Sequence, residues 1–179
     1  MVAMLPKETK TEFSGDLSKI ILQQGPATIT ILQNFVSHEG LLLIDVPVAQ
    51  MQFAVKQTKA DYQKAIEAMP VFSAFEASGE KKLIGTYQSE KYTYKDDKGQ
   101  VYELWTTHDI ELPAGFYGEQ FKDVKGTLVK YTTFQQGMKI NLSLKSLSEG
   151  KVGALSLNIP SGYEIKTMEE IAAMQGGGE

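Results

Sequence analysis

Two-residue alternation of apolar and polar positions dominates the interior of the chain. It begins at Ala27 to Val36, where Ile29, Ile31 and Phe35 share one side and Thr28, Thr30 and Asn34 the other. Successive side chains of an extended strand point to opposite faces, so the pattern predicts a half-buried strand. Ser37-His38-Glu39-Gly40 supplies turn chemistry, and Leu41 to Val46 follows as an almost unbroken apolar run, expected of a strand buried on both faces. The two read as a hairpin. Pro47 removes a ladder donor, after which Met51, Phe53 and Val55 alternate with Gln52, Ala54 and Lys56 in a third strand. At Ala60 to Met69 the period changes. Tyr62, Ala65, Ile66 and Met69 fall at i, i+3, i+4 and i+7, predicting an amphipathic helix that Pro70 ends.

Alternation returns in Tyr87 to Lys95, turns at Asp96-Asp97-Lys98-Gly99 and runs back through Gln100 to Thr107. A second hairpin is predicted from Thr127 to Phe134 and Met138 to Lys145, joined by Gln135-Gln136-Gly137, and an edge strand from Leu155 to Ile159. Thr167 followed three residues later by Glu170 forms a capping box, with Met168, Ile171 and Ala172 as the apolar side of a short helix. The expected fold is mainly β (α+β): a single strongly curved antiparallel sheet or half-barrel of about 8–10 strands, because flat sheets of that width curl. Two short helices are expected to cover its concave side.

No internal repeat or linker tract interrupts the 179 residues, so one domain, 1–179, is expected, with an ordered core over 11–174 and flexible ends at 1–10 and 175–179. Hydrophobic residues at 42% and charged residues at 22% place the chain outside the regime of intrinsic disorder. A net charge of −4 with no basic stripe argues against nucleic acid as a partner. Without Cys there is no disulfide, thiolate nucleophile or thiolate metal site. No apolar run approaches the ~20 residues of a membrane-spanning helix. The opening Met1 to Lys7 lacks a basic region followed by a long apolar stretch, so either the protein is cytosolic or a signal was removed.

The candidate chemistry is sparse. His38 and His108 lack metal-ligand spacing, and no Gly-x-Ser-x-Gly elbow is present. No catalytic residue, metal or cofactor is assigned, and the one enzyme reading is a hydrolase with a dispersed site around His108, Asp109 and Glu111. Asp96, Asp97 and Gly99 offer oxygen ligands to calcium in principle, but lack the loop spacing and read as a solvated hairpin turn. Glu80-Lys81-Lys82 reads as a solvated charge cluster. More suggestive are large adaptable side chains such as Met51, Phe53, Met69, Phe72, Phe75, Trp105 and Met138, which either fill a core or line an apolar site. Ser73 to Gly79 and Leu112 to Phe121 carry aromatics among Gly and Pro. These segments are lids at the mouth of a half-barrel or loops that fold back and staple the helix to the sheet.

Several segments together carry a resemblance: Gly79 to Tyr87, Glu90-Lys91-Tyr92-Thr93-Tyr94, Tyr102 to Thr107, Leu112-Pro113-Ala114-Gly115-Phe116 and Leu157 to Tyr163. They resemble a bacterial secreted domain family of unknown function, itself similar in architecture to the periplasmic lipoprotein carriers LolA and LolB. Coverage runs from about Gly79 to Met168. Members often carry a Cys where Ser89 stands, so a redox or disulfide role at that position is out of reach here. Those carriers hold acyl chains in a curved half-barrel under a helical lid; the resemblance implies a periplasmic or cell-envelope location and binding of a lipid-like ligand, and it carries over no catalytic residue.

The expected function is therefore a non-enzymatic envelope protein that binds or carries a lipid or other apolar ligand in the concavity of its sheet. Ile29, Ile31, Leu43, Met51, Phe53, Met69, Trp105 and Leu142 are the candidate lining residues, their parity being a choice between two faces. Lipid or lipoprotein acyl chains, or another envelope protein, are the expected partners. The alternative is a structural or protein-interaction module with a filled core.

Overall fold

In the computed structural model, which describes residues 8–135 and 137–176, the chain alternates strands and turns with two α-helices. The first strands are β1 (Thr11–Ser14), β2 (Leu17–Gln24), β3 (Ala27–Asn34), β4 (Gly40–Val46) and β5 (Met51–Gln57). Helix α1 (Lys59–Glu67) follows, then β6 (Ser73–Ile84), β7 (Tyr87–Lys95), β8 (Val101–Thr107), β9 (Thr127–Gln135) and β10 (Met138–Ser143). The chain closes with β11 (Glu164–Ile165) and α2 (Met168–Gly176). The expected flexible ends lie largely outside the described residues, as does Gln136 of the predicted β9–β10 turn.

The residues gather into two compact units, one taking the chain up to Tyr62 and again from Lys151, the other Gln63–Gly150. In the first, β1 to β5 form an antiparallel meander, and β11 pairs in parallel with the outer edge of β5. In the second, β6 to β10 form a five-stranded antiparallel meander. The expected single sheet is thus corrected to two. After β5 the chain leaves the ladder for α1 and Pro70, and the free edge of β5 is taken by β11 rather than by the next strand.

The double burial expected for β4 is present. Leu41 and Leu43 pack with Leu32 and Ala54 on one face of the first sheet, while Leu42 and Ile44 meet Phe53, Val55 and Ile171 of α2 on the other. The segment predicted as an edge strand, Leu155 to Ile159, pairs with no strand among the described residues. It is a strap that lays Leu155, Leu157 and Ile159 onto the Leu32–Leu41–Leu43 face, so its alternation reports packing without a ladder. The Thr167 capping box forms as expected: the Thr167 amide donates to Glu170 Oε2 at 2.7 Å, and the Glu170 amide donates to Thr167 Oγ1 at 3.2 Å. A second box at the start of α1 pairs the Thr58 amide and Asp61 Oδ2 at 2.9 Å.

The second unit holds an aromatic core of Phe72, Tyr94, Tyr102, Leu104, Phe121 and Leu128. Phe75 and Tyr117 pack against it, so the two segments with loop aromatics are resolved in favour of core packing. Ser73 to Gly79 is itself part of a strand, and Tyr117 donates its hydroxyl to the Leu128 carbonyl at 3.0 Å. The Asp96–Gly99 hairpin closes, but Asp96 is buried at 8% exposure instead of solvated, because its carboxylate is spent inside the turn. Asp96 Oδ1 accepts the amides of Lys98 and Gln100 at 2.9 and 2.8 Å, Oδ2 accepts the Tyr102 hydroxyl at 2.9 Å, and Gly99 takes the left-handed φ of 78° that the turn requires.

Candidate functional site

Register across the first sheet assembles the candidate site. Directly opposite residues on neighbouring antiparallel strands share a face. One row runs Ile20, Ile31, Leu42, Val55 across β2 to β5, and the next runs Leu22, Ile29, Ile44, Phe53. Met51 opposite Val46 extends the same face. At ~4.8 Å between strands and ~6.7 Å between same-face residues along a strand, the two rows cover an apolar surface roughly 14 Å wide. Its β5 end is buried under Ile171, with Phe53 and Val55 at 7% and 2% exposure, whereas Ile20, Leu22, Ile29 and Ile31 are half-buried.

The opposite face is filled. Leu32, Leu41, Leu43 and Ala54 are covered by Leu155, Leu157, Ile159 and Tyr163. Tyr163 donates its hydroxyl to Asp45 Oδ2, and Gln52 Nε2 donates to Asp45 Oδ1 at 2.6 Å, which pins the strap to β4 and β5. Burial, reinforced by the Asp45 carboxylate, pushes the Tyr163 phenol up to about 12.

Of the eight expected lining residues, the structure brings four together on one face: Ile29, Ile31, Met51 and Phe53. Leu43 lies on the opposite, filled face. Met69, Trp105 and Leu142 belong to the second unit. There Trp105 packs with Tyr87 and Val129, and Leu142 stands opposite Tyr131 on an edge strand. Sequence reasoning missed Ile20, Leu22, Leu42 and Ile44. The signal for Ile20 and Leu22 was a short apolar run between two turn-forming stretches, Gly15-Asp16 and Gly25-Pro26.

The residues weighed for other chemistry are tied into the fold. Asp109 Oδ2 accepts the Gln88 amide at 2.6 Å, and the Asp109 amide donates to Thr107 Oγ1 at 3.1 Å. His38 stacks on Tyr62 with ring centroids 4.3 Å apart. Ser89 is buried and donates to the Tyr87 carbonyl at 3.0 Å. Among the described residues no cluster of three His, Asp or Glu side chains is placed to hold a metal ion, and no helix is long and apolar enough to cross a membrane.

No protein-family model matches the chain, and no curated protein matches it.

Proposed function

We propose that this is a non-enzymatic protein of the cell envelope that binds or carries a lipid or other apolar ligand on the β2–β5 face of its first sheet. The observation that carries the reading is the pair of four-residue apolar rows, Ile20–Ile31–Leu42–Val55 and Leu22–Ile29–Ile44–Phe53, half-buried toward β2 and β3. Burying ~250 Å² of an acyl chain there contributes roughly 6 kcal/mol before the entropy of binding is subtracted, enough for weak, exchangeable capture. Curvature of the sheet and closure of the face by a helix belong to the same proposal. Ile171 of α2, packed at the β5 end, supports it.

The test is thermal unfolding of delipidated protein with and without a lipid pool. A ligand of the native state must raise stability, by ~2.7 kcal/mol at a hundred times its dissociation constant. The reading predicts a saturable rise in the wild type and none in Ile31→Lys, provided the variant keeps the wild-type circular dichroism. No stabilisation by any lipid class would refute it.

A second reading, an envelope docking module with a filled core, draws support from the second unit, where the cluster around Phe72 and Tyr94 is packed with the protein's own rings. Under that reading the β2–β5 face would meet a protein, and lipid would leave the unfolding temperature unchanged.

A further inference from the structure

The second sheet carries an open depression of about 600 Å³ that spans β6 to β10 and borders the aromatic core at Tyr102 and Tyr131. Its centre is Trp105, 4% exposed, with Lys91 opposite it on β7 and Lys130 opposite it on β9. Lys82 lays its ammonium 3.9 Å from the Trp105 ring centroid, and Lys139 stands 5.1 Å from the ring of Tyr102. Two carboxylates line the depression, and both are spent on one lysine: Lys91 Nζ reaches Glu103 at 2.7 Å and Glu80 at 3.3 Å. Lys82, Lys130 and Lys139 are exposed and have no carboxylate partner among the described residues. Three uncompensated ammonium groups around one depression, in a chain whose net charge is −4, are not explained by covering Trp105, for which the aliphatic stems suffice.

We propose that this depression is a second ligand site, for a compact anion carrying two or more negative charges, of the phosphate class. Lys82 on β6 and Lys130 on β9 stand three strand spacings apart, ~14 Å between backbones, and their flexible arms, with that of Lys139 on β10, reach charges spread over a few ångströms. Asn141, whose Oδ1 accepts the Thr132 hydroxyl at 2.7 Å, lines the same depression and carries an amide nitrogen as a neutral donor. Phosphate of this kind is presented either by a soluble polyphosphate or by a phospholipid headgroup, and the experiment separates the two.

Trp105 is the only tryptophan, so its emission reports the site directly. Full-length protein is titrated with tripolyphosphate by calorimetry and by Trp105 fluorescence, against sodium chloride of matched ionic strength, and is co-sedimented with phosphatidylglycerol and with phosphatidylcholine vesicles. Saturable one-to-one binding of tripolyphosphate with an emission change identifies a soluble ligand. Sedimentation with phosphatidylglycerol alone identifies a headgroup. In either arm Lys130→Gln/Lys139→Gln weakens binding at least about tenfold, whereas the equally charged Lys98→Gln/Lys125→Gln control, away from the depression, changes it less than about threefold. Failure to bind either probe, or equal losses in the two double variants, overturns the proposal.

Discussion

Raising the pH from 8 to 12 is predicted to unfold the second unit, because its aromatic core depends on phenols that stay protonated. Tyr94 is fully buried and donates its hydroxyl to the Thr132 carbonyl at 2.8 Å; burial pushes it up to about 12. Burial alone pushes Tyr131 to about 12 as well. Tyr117 is raised further, by burial and then by neighbouring Tyr131. A group whose folded value lies above its unfolded value stabilises fully below the unfolded value, near 10, and loses that contribution as pH climbs through the folded one. Two units of pH are worth about 2.7 kcal/mol per tyrosine, so Tyr94 and Tyr131 together cost the fold about 5 kcal/mol by pH 12, against a total of ~5–15. Phenolate absorbance and Trp105 emission, read on the same samples, check this. The expected result is a phenolate rise that coincides with the red shift of Trp105 between pH 10 and 12, less steep in Tyr94→Phe because one linked proton is gone. Complete phenolate formation near pH 10 with native Trp105 emission would mean that the fold does not depend on these phenols staying protonated.

Further variants probe single contacts. Thr106 is buried with no hydrogen-bond partner for its hydroxyl among the described residues, so Thr106→Val is predicted to stabilise by about 1 kcal/mol, seen as a higher urea midpoint at unchanged slope. Leu104, wholly buried in the aromatic core, should cost about 2–5 kcal/mol when cut to Ala, again by urea unfolding. Thr167→Ala removes the acceptor of the Glu170 amide and should lower the protection of the α2 amides from hydrogen exchange by about 1 kcal/mol, with Thr167→Ser restoring most of it.

Local pattern was legible where local physics decides. β3, β4 and their turn, the Asp96 hairpin and the Thr167 cap are each set by a few adjacent residues, and each forms as read. β6 was not legible. It is a long, mostly exposed edge strand broken by register shifts at Ser73/Glu76 and Ala77/Lys81, so bulges destroy the two-residue period that would have announced it. The division into two sheets was hidden because it depends on which strand takes the free edge of β5. That partner, β11, is two residues long and comes more than a hundred positions later. The site was half legible for the same reason. Alternation put Ile29 with Ile31 and Met51 with Phe53, but only the cross-strand register showed that both pairs share a face and that Leu43 lies on the other. The lysines around Trp105 were invisible as a group because they come from four strands, Lys82 having read as part of a solvated charge run.

Native mass spectrometry of gently purified protein, followed by extraction and identification of whatever dissociates, tests the central proposal most directly. The expected result is a bound acyl species near one per chain, retained by the wild type and absent from Ile31→Lys. A clean ligand-free mass that does not shift when lipids are added would contradict it and favour the docking module.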